Sequence, residues 1–257
     1  MPVVTLTSDL GTADYQIAAV KGVLLGAHEQ LNIIDITHSI KPFHYIDAAY
    51  VLENCFRDFP LGTIHIVGVE GDFLRRKEWL IAKLDDHYFF TKNNGLLSLI
   101  SSQEPQWVYQ LNIESKQQLK FPMRSLLAAA AVKFLKGTKP EELGIPIEKI
   151  IRRRLMQPSI GSNSITGVIL RITPYNNATT NIHRRDFESF TGLSSCKIHY
   201  NKMDYFDKIH NSYHDLPEGV AGCFFGFNGY LELGIHGGNA KNLLSFIEGK
   251  NIRIEFE

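Results

Sequence analysis

The first 135 residues switch repeatedly between a hydrophobic period of two and one near 3.6, and no other feature limits the fold as much. Apolar and β-branched runs at Val3 to Thr7, Leu31 to Ile36 and Thr63 to Val69 predict strands. Between them, Tyr15 to Ala27 and Tyr45 to Phe59 place apolar residues three and four apart, which predicts helices. Trp79 to Leu84 with Tyr88 to Thr91 predicts a strand pair, Trp107 to Ile113 another strand, and Ser125 to Leu135 an alanine-rich helix. Interleaved strands and helices imply crossover connections, so the expected architecture is α/β with a mostly parallel sheet covered on both faces.

After Gly137 the pattern breaks. Pro140, Pro146, the run Arg152-Arg153-Arg154, Pro158 and Gly161-Ser162-Asn163 make a polar, punctuated stretch that reads as a connection, the arginines as a solvated linker or subunit contact. Short β-like runs follow at Thr166 to Ile172, Ala178 to Ile182, Ser195 to Tyr200, Gly222 to Gly226, Tyr230 to Ile235 and Asn251 to Phe256. The expectation is an α/β N-terminal domain over 1–160 and a smaller all-β, barrel-like C-terminal domain over 161–257.

Composition narrows the partners. With 27 Lys+Arg against 27 Asp+Glu the formal net charge is zero, which disfavours a phosphate-backbone binder. The apolar stretch at Leu126 to Val132 is far shorter than the ~18 residues of a membrane span, and MPVVTLTSD has no secretory-signal pattern. Three widely spaced cysteines, Cys55, Cys196 and Cys223, suit a reducing compartment. A cytoplasmic protein with no nucleic-acid or membrane partner is expected.

Polar residues just after strands are the first candidates for chemistry, because ligands of open α/β sheets bind beyond the carboxyl ends of strands. Asp9 follows the first strand; its carboxylate suits the vicinal hydroxyls of a ribose, or it caps the next helix. His38 and Phe43 follow the second, the His as a base or a structural residue, the Phe as a stacking surface or as core. Glu70, Arg75 and Arg76 follow the third, where they act on a ligand or form a solvated loop. In the β-rich half, Asn177 offers the donor and acceptor pair that matches an adenine edge, or an Asx turn. The turns around Asn228 and at Gly237-Gly238 expose backbone that a base can approach closely. No Gly-x-Gly-x-x-Gly or Walker loop is present, so a dinucleotide or triphosphate cradle is disfavoured.

In order and spacing, TLTSDLGTADY, IIDITHSIKPF, FPLGTIHIVGVEG, HYFFTKNNGLLS, LKGTKPEELG, NNATTNI and GYLELGIHGGNA resemble the S-adenosylmethionine hydroxide adenosyltransferases, relatives of fluorinases and chlorinases. The resemblance spans essentially the whole chain. It implies homotrimers with the ligand between neighbouring subunits, no cofactor, and attack of water or hydroxide on C5′ of S-adenosylmethionine to give adenosine and methionine. It gives Asp9 to the ribose, Phe43 to an aromatic contact, Asn177 to adenine, and Glu70 and Arg75 to the nucleophile.

The chain departs from the family pattern in several places. Val69-Glu70-Gly71-Asp72-Phe73-Leu74-Arg75 stands where the family has Val-Asp-Pro-Gly-Val-Gly and an Arg, and is two residues shorter. Pro122 in Phe121-Pro122-Met123-Arg124-Ser125 replaces the family's catalytic His, with His38, His44 and His65 as possible substitutes. Ile172 and Asn228 replace charged residues that hold the methionine tail in the halogenases. The resemblance therefore implies a hydrolase with an altered catalytic set. The alternatives are a catalytically silent adenosine binder and an enzyme for another 5′-substituted adenosine.

Overall fold

A computed structural model describes residues 1–27, 30–69, 78–190 and 195–257. The chain divides into two units, Met1–Arg154 and Leu155–Glu257.

In the first unit, β1 (Val3–Ser8), α1 (Gln16–Leu25), β2 (Asn32–Thr37), α2 (Tyr45–Glu53) and β3 (Ile64–Gly68) alternate as the periodicity predicts. They are followed by β4 (Trp79–Leu84), β5 (His87–Lys92), α3 (Leu97–Ile100), β6 (Trp107–Leu111), α4 (Ala129–Leu135), α5 (Pro140–Leu143) and β7 (Gly144–Pro146). The sheet order is β2-β1-β3-β5-β4-β6-β7. Pairings β1–β2, β1–β3 and β3–β5 are parallel, whereas β4–β5, β4–β6 and β6–β7 are antiparallel. The sheet is thus mixed, which corrects the expectation of a mostly parallel one. The cause is local. Only Asp85 and Asp86 separate β4 from β5, both with positive φ (50° and 59°), the backbone of a tight hairpin that forces antiparallel pairing.

Two other differences concern segment ends. The expected helix over Tyr45 to Phe59 stops at Glu53 and resumes as a short 3₁₀ turn, Phe56–Asp58. The alanine-rich helix is preceded by a π-type turn, Met123–Ala128, which starts immediately after Pro122. Within the stretch that reads as a connection, α5 and β7 extend the first unit, with β7 completing the sheet beside β6. Arg153 packs there too, its guanidinium 5.3 Å from the Tyr45 ring and its N–H donating to Ser98 Oγ at 2.8 Å.

Alternation within the strands builds the core. Val4 and Leu6 of β1, Ile64 and Ile66 of β3, Ile81 of β4 and Phe90 of β5 share one cluster with Val20 and Leu24 of α1 and Leu127 and Ala131. The residues between them face the other side, where Thr5 Oγ1 lies 2.7 Å from His65 Nδ1 and His65 Nε2 lies 3.2 Å from His87 Nδ1. Phe56 and Phe89 pack against the His65 ring. Burial pushes His65 down to about 3 and lowers His87 as well, because the apolar surroundings disfavour the charged ring.

A pH prediction follows from the sign of that shift. The unfolded chain binds His65's proton from about pH 6.5 downward and the folded chain only near pH 3, so stability is full above neutrality and declines as pH falls through this window. Thermal denaturation at pH 5 should register a loss of about 2 kcal/mol from His65 relative to pH 7.5. His65→Gln should flatten the profile, and an unchanged slope would assign the effect to other groups.

The second unit comprises β8 (Ser159–Ile160), β9 (Ser164–Ile172), β10 (Ala178–His183), β11 (Cys196–His199), β12 (Tyr205–Phe206), β13 (Ile209–His210), β14 (Ala221–Phe225), β15 (Tyr230–Ile235) and β16 (Asn251–Phe256). Its order is β12-β11-β16-β9-β10-β15-β14-β13, with β8 on β9. All pairings are antiparallel except β13–β14. The sheet curls, nearly barrel-shaped, around Ile165, Ile169, Ile182, Ile198, Leu233, Phe246 and Ile254. All six longer runs expected from the sequence are strands; the two-residue strands carry no readable pattern.

Candidate active site

β1 leaves one neighbour, β2, on one side and the other, β3, on the opposite side, so the chain reverses its winding at the carboxyl end of β1. A cavity of about 290 Å³ opens there. Asp9 and Leu10 enter it from the end of β1, Pro42 and Phe43 from beyond β2, and Gly68 from the end of β3. Trp79, Phe121, Pro122 and Met123 complete much of the wall, with Gln16 and Lys120 also on it.

The loop carrying Asp9 is held by backbone. Gly11, at φ +70°, donates its N–H to the His38 carbonyl at 2.8 Å. Asp9 Oδ2 accepts the Phe43 N–H at 2.9 Å, and Phe43 itself has a φ of 64°. This left-handed backbone is rarely adopted by a bulky side chain and is held here by the Asp9 contact; Phe43 remains 58% exposed beside the cavity. Thus two of the residues singled out in the sequence, Asp9 and Phe43, are in contact across 34 positions.

Pro122 faces the same cavity at the head of the π-type turn, a form of helix that recurs at functional sites. The turn is braced by Ser125 Oγ, which lies 2.6 Å from both the Gln118 and Phe121 carbonyls. Met123 lies against Gly68: a Cβ there would come within 2.5 Å of its Sδ, so glycine is what lets the turn approach β3.

Glu70, Arg75 and Arg76 lie outside the described residues. Their flanks are well held. Asn94, fully buried, donates Nδ2–H to the Val69 carbonyl at 3.1 Å and accepts the Leu96 N–H at 3.1 Å. Asn93 donates Nδ2–H to Glu78 Oε2 at 2.8 Å and its own N–H to the Glu78 carbonyl at 2.8 Å. Replacing Asn94 by Ala leaves a buried carbonyl and a buried N–H without these partners. Chemical denaturation should then show a loss of about 1–3 kcal/mol, against little change for the exposed Gln103→Ala.

None of the three histidines considered as substitutes lines the cavity. His65 sits in the core with His87, His38 turns toward Ser8 and Asp35, and His44 flanks the start of α2. Trp79, Gln16 and Lys120 were not among the residues the sequence singled out. Trp79 carries the clearest signal, an aromatic that opens a strand directly after a charged stretch.

In the second unit, Asn177 is 6% exposed and its Oδ1 is buried with no hydrogen bond among the described residues. Asn228 Oδ1 accepts the Tyr230 N–H at 3.2 Å, so that side chain closes its own turn. The Gly238 N–H is likewise occupied, donating to the Ile235 carbonyl at 3.1 Å. Ile172 ends β9 and packs against the second core.

A mixed α/β unit with a cavity at its winding switch is followed by a predominantly β unit. Family models of the SAM hydroxide adenosyltransferase N-terminal and C-terminal domains match residues 4–144 and 167–253, and the chain belongs to that family. It is 24% identical to an (R)-S-adenosyl-L-methionine hydrolase of Thermus thermophilus, over 96% of this chain and 97% of that one. It is 22% identical to a fluorinase of Actinopolyspora mzabensis, over 98% and 97% of the two chains. The crystal structure of an uncharacterized conserved protein from Thermotoga maritima shares the fold, with a TM-score of 0.84 at 22% identity, over 98% of this chain and 99% of that one. Among the described residues no helix is long and apolar enough to cross a membrane.

Proposed function

We propose that this protein is an S-adenosylmethionine hydroxide adenosyltransferase, transferring the 5′-adenosyl group of S-adenosylmethionine to water. The observation that carries the reading is the cavity at the carboxyl ends of β1 and β3, where Asp9, Phe43 and Pro122 meet. A carboxylate offers about four acceptor positions on two oxygens, so a residue of this type can take the hydroxyls of a ribose diol as well as a backbone N–H such as that of Phe43. Phe43 offers an exposed aromatic face beside it. The buried Asn177 Oδ1 is an acceptor suited to the exocyclic amine of adenine.

The reaction forms a C5′–O bond as the C5′–S bond breaks. The electron pair of the broken bond goes to sulfur, which leaves as the neutral thioether of methionine, and the attacking water gives its proton to solvent. A sulfonium already leaves readily, so the protein's task is to align the nucleophile with the C–S bond and favour its deprotonation. Glu70 and Arg75 are the residues we assign to the nucleophile, on the family resemblance alone. No cofactor is required by this chemistry. A homotrimer in the cytoplasm is the corresponding expectation, and light scattering on the purified chain measures the oligomeric part of it.

A second reading, a silent adenosine binder, is favoured by one observation: Pro122, which cannot transfer a proton, stands in the cavity wall. Incubating the purified protein with S-adenosylmethionine and quantifying adenosine and methionine by chromatography separates the two. Equimolar products above the no-protein control support transfer to water. Adenosine binding by calorimetry without turnover supports the binder, and a third substrate class is indicated if another 5′-substituted adenosine is cleaved instead.

A further inference from the structure

Beside the cavity-lining Asp9, a polar chain that the proposed reaction does not use runs from the buried Ser8 and His38 to the exposed Asp35 and the half-buried Lys21. His38 is 4% exposed. Its Nδ1 is 2.8 Å from Ser8 Oγ, and its Nε2 is 3.2 Å from Asp35 Oδ1. Asp35 Oδ2 in turn takes the Lys21 ammonium at 2.6 Å. Burial alone would raise the Asp35 carboxyl, but hydrogen bonds from Lys21 and His38 outweigh it and hold the group below its ordinary value.

With Nδ1 accepting the Ser8 hydroxyl, the ring turns its Nε2 edge toward the Asp35 carboxylate. Ser8 Oγ is then free to accept the Leu10 N–H, which it meets at 3.3 Å. The His38 carbonyl separately accepts the Gly11 N–H. One residue beyond β2 therefore grips the chain on both sides of Asp9, through Ser8 before it and Gly11 after it.

We propose that His38 is a positioning residue for the Asp9 carboxylate, holding the loop 8–11 so that Asp9 meets a ribose diol in a single geometry. The inference rests on the reading of Asp9 as a ligand residue. A carboxylate on a loop grips a diol only if its position is held within a fraction of an ångström, and side-chain hydrogen bonds from behind are the usual means. Position alone, not proton transfer, is the role, since His38 is absent from the cavity wall.

The test uses the full chain, adenosine titrations by calorimetry and steady-state turnover of S-adenosylmethionine. His38→Ala should weaken adenosine binding by about tenfold or more and raise KM by a similar factor with kcat changed less than about threefold. His38→Asn, whose carbonyl can still accept the Ser8 hydroxyl, should recover most of the affinity. In an Asp9→Asn background the same His38→Ala change should matter less than about twofold, because contacts that act through one another are not additive. The inference is overturned if His38→Ala lowers only the melting temperature while adenosine affinity and KM stay within about twofold. It is equally overturned if the loss persists undiminished without the Asp9 carboxylate. A wild-type chain that neither binds adenosine nor turns over S-adenosylmethionine would instead refute the ribose reading on which it rests.

Discussion

Pro122→His is expected to raise kcat for S-adenosylmethionine hydrolysis by at least about tenfold, because a well-placed general base contributes roughly 10²–10⁴ in rate. Pro122 already lines the cavity with Asp9 and Phe43, and its backbone (φ −59°, ψ −38°) is ordinary helical geometry that histidine adopts without strain. The substitution therefore introduces an imidazole without moving the turn. The pH profile should gain an ascending limb near the ordinary histidine range, while Pro122→Ala should show neither gain nor limb. If the wild type is silent, the same variant shows whether the rest of the site is competent. A rate for Pro122→His within twofold of Pro122→Ala would remove this position from the chemistry.

Asp9→Ala should be the most damaging change on the binding side. Two hydroxyl hydrogen bonds to a carboxylate contribute about 1.5–3 kcal/mol each, so kcat/KM should fall by roughly 10²–10⁴ and adenosine affinity with it. Part of the loss comes through Phe43. Without Asp9 Oδ2 the Phe43 N–H loses its acceptor, and φ at 64° loses one of the contacts that hold it against the preference of a bulky residue for negative φ. Asp9→Asn keeps one acceptor oxygen and should lie between the two. Unchanged adenosine affinity in Asp9→Ala would sink the ribose assignment.

Much of this was legible in the residues. The alternation of periods located the longer strands, since most are set by apolar residues that a sheet buries, whichever neighbour they pair with; β2, at the sheet edge, was located although none of its residues is buried. Strand direction was harder to read: the two aspartates between β4 and β5 hold that information, and charged residues resemble an ordinary loop until their positive φ is seen. Asp9 and Phe43 were readable because residues after strands converge at a crevice. The bond between them was not, because it joins a side chain to a backbone N–H 34 residues away. His65 looks from sequence like a candidate base, yet its place in a strand whose every residue is buried commits it to the core. The turns at Asn228 and Gly238 read in the sequence as open backbone; in the structure Asn228 Oδ1 accepts the Tyr230 N–H and the Gly238 N–H donates to the Ile235 carbonyl.

The neighbouring asparagines bear on how the family's central loop can vary. Asn94 anchors the chain at Val69 and Asn93 anchors it at Glu78, so the stretch between begins and ends on a single dipeptide of the loop after β5. Closing a loop between fixed points grows costlier only logarithmically with its length. Residues can thus be gained or lost there while the strands on either side keep their register. A change of chain length between these anchors needs no compensating change in the sheet. Variation between the two anchors is thereby uncoupled from the packing of the sheet that carries them.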